Sequence, residues 1–127
     1  MAKAVINLAA KHPVLPDFPS YGIAILESHH APGFSMPPSS YDFAEIMLIL
    51  EGEGNLVKSR TRHPVRAGNL IIMPRDTTYQ YQDTSDKTLG MFSLCLRPEG
   101  SLLEVFRSAM PASFQIFRHP VLSREAA

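Results

Sequence analysis

Phe43-Ala44-Glu45-Ile46-Met47-Leu48-Ile49-Leu50-Glu51-Gly52-Glu53-Gly54 and, further on, Gly68-Asn69-Leu70-Ile71-Ile72-Met73-Pro74 decide the fold. The first reads as an apolar strand running into a tight turn. The second reads as a strand opened by Gly and stopped by Pro. Gly52 and Gly54 permit positive φ, which predicts a hairpin with Asn55 to Ser59 returning as the partner strand. Apolar strands with Gly-rich punctuation point to a β-sandwich or β-barrel.

Outward from that stretch, strands continue. Tyr21 to His30 carries Ile23, Ile25 and Leu26, which favours a strand. Ala31 to Ser40 holds Pro32, Gly33, Pro37 and Pro38 and must be a loop, long enough to be functional. Lys58, Arg60, Arg62 and Arg66 form a basic cluster, read as a charged strand edge, with an acidic partner as the alternative. Thr77 to Gln82 alternates with Tyr79 and Tyr81 on one face, a period of two that predicts a strand. Asp83 to Lys87 reads as a polar turn and Thr88 to Leu96 as the last long strand. Pro13, Pro16 and Pro19 make residues 1–20 an extended arm or edge segment.

After Pro98 the pattern changes. Ser101 with Glu104 forms a capping box, and Leu102, Leu103, Val105, Phe106 and Ala109 give an apolar face at helical spacing up to Pro111. Pro120 to Ala127 opens like a second helix with Ser123 as N-cap. A helix of one turn is not stable alone, so the expectation is a chain cut from a longer protein or a frayed tail.

The length of 127 residues suits one domain with a real core. Twelve basic and twelve acidic residues cancel, which argues against this segment neutralising phosphates on nucleic acid by itself. No secretory leader and no bilayer-spanning apolar run is present in the sequence. Cys95 is the single cysteine, so an internal disulfide is impossible and a cytoplasmic setting is expected. Within Met91 to Leu96 it reads as a small buried hydrophobe rather than a nucleophile.

Glu45 to Tyr81 resembles a cupin, a double-stranded β-helix (jelly-roll) barrel. Glu45, six residues and Gly52 fit the end of the first cupin motif; Gly68, five residues and Pro74 fit the start of the second. More narrowly, Glu45 to Gly54 and Val65 to Pro74 resemble the N-terminal effector-sensing domain of AraC-type transcription regulators. The resemblance covers about the middle two-thirds of the chain. It implies a cupin barrel over residues 1–98 and a helical extension over 99–127, leading to a DNA-binding part outside this sequence. It also implies a small-molecule effector such as a sugar or small organic acid, a homodimer, and DNA contact only through helix-turn-helix units of the parent protein.

The departures from the cupin pattern bear on chemistry. The His-x-His pair of metal cupins falls among Pro38, Ser39, Ser40 and Tyr41, and the second-motif His falls on Tyr79. Of the usual ligand set only Glu45 remains, and one carboxylate does not hold a transition metal. His29 and His30 are neighbours and point to opposite faces of a strand; His12, His63 and His119 lie beside prolines and read as loop residues. No metal and no cofactor are expected, and no metal-dependent dioxygenase or isomerase activity.

The candidate ligand-binding residues are Glu45, Tyr79, Tyr81, Tyr41, Met47 and Arg75. A carboxylate in an apolar strand calls for a partner: an effector, or an internal contact with Arg75 or a tyrosine. Tyr79 and Tyr81 offer flat bodies with hydroxyls, suited to gripping a ligand or to filling a core. Tyr41 and Met47 are of the same kind, Met47 the more core-like. Arg75 at the Pro turn is either a carboxylate clamp or a surface residue. No triad or phosphate loop is present. The expected function is a non-enzymatic effector-sensing domain; the alternative is a stand-alone metal-independent isomerase or lyase using Glu45 and Tyr79 as acid and base.

Overall fold

The computed structural model describes residues 3–8 (backbone), 18, 22–83, 87–97 and 110–118. Nine strands lie among them: β1 Lys3–Leu8, β2 Ile23–His30, β3 Ala44–Glu51, β4 Glu53–Lys58, β5 Thr61–Arg66, β6 Leu70–Met73, β7 Gln80–Asp83, β8 Gly90–Leu96 and β9 Gln115–Phe117. Six form a sheet in the order β1-β2-β8-β3-β6-β9, and three form a second in the order β5-β4-β7. The expected all-β barrel of cupin type is what the chain adopts.

Side-chain alternation sets the inner face. In the large sheet Glu45 stands opposite Cys95 on one side and Met73 on the other. Met47 stands opposite Ser93 and Ile71, and Ile49 opposite Met91. Directly opposed residues share a face, so these form rows of inward side chains. Met47, Ile49, Ile71, Met73 and Met91 of these rows meet Leu56, Val65, Tyr79, Tyr81 and Leu89 in one buried cluster with Phe34 and Met36. Burying each large apolar side chain stabilises by about 1.5–3 kcal/mol. A second cluster, Ala24, Leu26, Phe43 and Cys95, continues the core below Glu45.

The expected hairpin at Gly52 and Gly54 does not form. β3 belongs to the large sheet and β4 to the small one, and β4 pairs with β5 and β7. Gly52, at φ +80°, is the corner where the chain leaves one sheet for the other; Gly54 lies inside β4. A Cβ on Gly52 would run into the carbonyl oxygen of Thr88, so this corner needs glycine on both counts. The hairpin is instead β4–β5, closed by Ser59 and Arg60, both at positive φ (51° and 66°), which is the type I′ geometry.

Other expectations need adjustment. His63 lies in β5, not in a loop. β7 begins at Gln80, with Tyr79 joined to Ser39 by an isolated bridge, so the strand expected from Thr77 starts later. Asp83 ends β7 rather than opening a turn. The basic residues Arg62 and Arg66 sit on β5, an edge strand, as expected. The helix expected from Ser101 to Ala109, the segment from Pro120 and the proline-rich arm lie outside the described residues, Phe18 and the backbone of 3–8 excepted. Farther along the chain, β9 pairs with β6 and adds an edge to the large sheet.

Candidate functional site

Glu45 is placed by its row. Inward on β3, flanked by Cys95 and Met73, it is 8% exposed in an apolar setting. An isolated carboxylate there would be costly. Its partner comes from across the barrel: the Tyr79 hydroxyl donates to Glu45 Oε1 at 2.5 Å. Burial pushes the Glu45 carboxyl up to about 7, and the Tyr79 hydrogen bond holds it from going higher. Burial, then the Glu45 charge, drives the Tyr79 phenol well above its usual value, so it stays a donor.

Tyr81 is two residues on and shares the inner face. Its hydroxyl donates to Met47 Sδ at 3.0 Å, and its ring meets Tyr79 edge to face at 5.8 Å. Burial and the Glu45 charge likewise push its phenol well up. Tyr41 closes the group: its ring stacks on Phe43 at 5.1 Å and meets Tyr79 edge-on at 6.0 Å. The Tyr41 hydroxyl is buried with no hydrogen-bond partner among the described residues. The Ser39 hydroxyl donates to the Pro37 carbonyl at 2.9 Å and offsets part of the rise that burial imposes on the Tyr41 phenol, but it lies outside hydrogen-bond geometry with it. An unsatisfied buried hydroxyl costs about 1–3 kcal/mol, so this one marks a place where a polar partner would be gained.

Five of the six candidates are thus brought together: Glu45, Tyr79, Tyr81, Tyr41 and Met47. Arg75 is not. It lies exposed on the turn, its Nε 3.3 Å from Asp76 Oδ2. Glu45 is paired with a tyrosine, not with Arg75.

The donor set does not fit the metal of metal cupins. Around Glu45 stand the phenols of Tyr79, Tyr81 and Tyr41, held protonated by burial, the thioethers of Met47 and Met73 and the Cys95 thiol; among the described residues no imidazole reaches it. No group of three His, Cys, Asp or Glu among the described residues is arranged for a cation. Cys95 is buried, its thiol pushed far up by burial and by Glu45, and is inert as a nucleophile.

One buried polar pair was missed from sequence. His30 Nδ1 and Asp83 Oδ1 lie 2.8 Å apart, with side chains 2% and 0% exposed. The His30 ring packs on Phe34 at 4.1 Å and on Tyr81 at 5.8 Å. The alternation of β2, which buries Ala24, Leu26, Ser28 and His30, was the available signal. His29, on the opposite face as expected, is held above its usual value by hydrogen bonds to Glu27 and then Glu51.

Residues 22–126 match the model of the AraC-like ligand-binding domain. Among solved structures, the chain is similar to a cupin protein from Bacteroides fragilis, at TM-score 0.55 and 24% identity over 63% of this chain and 69% of that one. It is also similar to ToxT from Vibrio cholerae with bound unsaturated fatty acid, at TM-score 0.60 and 8% identity over 87% of this chain and 46% of that one. These likenesses are of fold. A stretch of 76 residues is 29% identical to the endoribonuclease YbeY of Myxococcus xanthus; it covers 58% of this chain and spans only 26% of that relative's length.

Proposed function

The chain belongs to the AraC-like ligand-binding domain family, and from that we propose that it senses a small molecule inside its barrel for a transcription regulator. The observation that carries the reading is the Glu45–Tyr79 hydrogen bond at 2.5 Å, beside the partnerless Tyr41 hydroxyl. A carboxylate poised near neutrality, three phenols and a thioether make a cluster with flat apolar walls and a few polar points. That is the make-up of a small-molecule site. A sugar or small organic acid with a hydroxyl would satisfy Tyr41 and compete for Glu45.

The ligand acts only if it binds one arrangement of the barrel better than another. We extend the proposal to a homodimer in the cytoplasm whose DNA contacts come from helix-turn-helix units of the parent protein. No helix among the described residues is long and apolar enough to cross a membrane.

The test is a thermal shift screen of sugars, aromatic acids and amino acids. A ligand binding only the folded state at a hundred times its Kd stabilises by about 2.7 kcal/mol. A hit that is unchanged as a compound after incubation, and is lost in Tyr79→Phe and Glu45→Gln, supports the proposal. A hit that is converted by the protein favours the second reading, a metal-independent isomerase or lyase. That reading draws on the Glu45 carboxyl lying near the working pH of a general base.

A further inference from the structure

A concavity lies apart from the tyrosine cluster. It has a volume of about 430 Å³ and is lined by Glu53, Gly54 and Asn55 of β4, Pro64, Val65 and Arg66 of β5, Asn69, and Arg118 just past β9. None of the tyrosine-cluster residues lines it. The volume is within the range of small-molecule sites.

Its centre is Asn69, only 2% exposed. Asn69 Oδ1 accepts from the Arg66 backbone N–H at 2.9 Å and from Arg118 Nη1 at 3.1 Å. One buried amide therefore holds the Arg66 backbone and the Arg118 guanidinium, from distant parts of the chain, to one wall. Among the described residues neither guanidinium has a carboxylate within ion-pair distance; Glu53, which stands opposite Arg66 in the β4–β5 register, has an oxygen 3.5 Å from Lys87 Nζ. A guanidinium carries five N–H donors in a planar fork, and Asn69 takes one from Arg118. The rest match a planar carboxylate. Gly54 and the exposed Pro64 give the remainder of the cleft an apolar wall.

We propose that this cleft binds a small organic carboxylate, its head between Arg66 and Arg118 and its apolar body on Pro64. The occupant would also act on the chain beyond the barrel. Arg118 follows β9, which is held to β6 through Leu70–Phe117, Ile71–Ile116 and Ile72–Gln115. A ligand bridging Arg118 to β5 fastens that strand, and a fastened strand binds the ligand more tightly in return. The site stands independently of the proposal for the barrel interior.

The test titrates the whole nitrogen-15-labelled chain with benzoate, with benzamide as the neutral match and inorganic phosphate as an anion without an apolar body. Benzoate is expected to give saturable amide shifts confined to residues 53–55, 64–69 and 115–118. Arg66→Met and Arg118→Met, both at exposed positions, should each weaken benzoate about tenfold or more with the circular dichroism spectrum unchanged. Tyr79→Phe should leave benzoate binding unaltered, which separates this site from the barrel interior. Benzamide binding as well as benzoate, methionine variants binding like the parent, or no saturable shift would overturn the proposal. Phosphate binding as tightly as benzoate would overturn its organic half.

Discussion

The Tyr79 hydroxyl reaches Glu45 Oε1 at 2.5 Å, joining residues 34 apart in sequence across the barrel interior. The distance is that of a charge-assisted O–H···O bond. Two effects act on the carboxyl: burial raises it, and the phenol lowers it again. Burial wins, and the group ends near 7 rather than near 4.5.

That balance makes stability depend on pH. A carboxyl whose folded value is raised holds its proton in the folded state while the unfolded chain has lost it. Stability is therefore full below about 4.5, falls as pH rises through 7, and is level above. The whole change is about 3 kcal/mol. Urea denaturation from pH 4.5 to 8 should show the decline, and Glu45→Gln should flatten most of it. His29 contributes in the same direction, through Glu27 and Glu51, but is retained in the variant, so the difference belongs to Glu45.

Tyr79→Phe removes the donor and leaves the carboxyl buried. The expected cost is about 1–3 kcal/mol. It should be larger at pH 8, where Glu45 is ionised, than at pH 5, where it is neutral. Equal losses at both values would mean that the hydroxyl is not answering a charge.

Gly52→Ala should be among the most damaging single changes. The new Cβ meets the Thr88 carbonyl, and the residue must hold φ +80°. A loss of about 2–3 kcal/mol or more is expected in chemical denaturation. Gly33 makes the control: its φ is also positive, but a Cβ there meets nothing.

The β4–β5 turn should be improvable. Ser59 and Arg60 both sit in the left-handed region, which costs a side-chain-bearing residue about 1–2 kcal/mol. Replacing the pair by Asn and Gly suits the type I′ turn. The double variant should melt several degrees higher, roughly 4–8 °C per kcal/mol gained for a domain of this size or slightly smaller.

The strands were legible because apolar alternation with Gly and Pro punctuation has little other meaning. The same alternation put Tyr79 and Tyr81 on one inner face, and the lone acidic residue in an apolar strand singled out Glu45. Which strands pair was less legible. Gly52 allows a hairpin and a sheet-to-sheet corner equally, and only the Thr88 carbonyl beside it decides. Ser59 and Arg60 hid the true hairpin, since neither is the Gly or Asn that advertises it. His30 and Asp83 are 53 residues apart, and Asn69 after Gly68 reads simply as the first residue of a short strand. Such long-range polar contacts leave no local pattern. β9 is three residues long, too short for periodicity to register.

The most direct measurement is a carbon-13 titration of the Glu45 carboxyl, in the free protein and saturated with whichever compound stabilises it in the thermal screen. The expected result is a midpoint near 7 in the free protein, displaced when the ligand takes over or adds to the Tyr79 hydrogen bond. A midpoint near the ordinary value of 4.5, or a bound ligand that leaves the Glu45 resonance and its midpoint untouched, would contradict a barrel that senses through this residue.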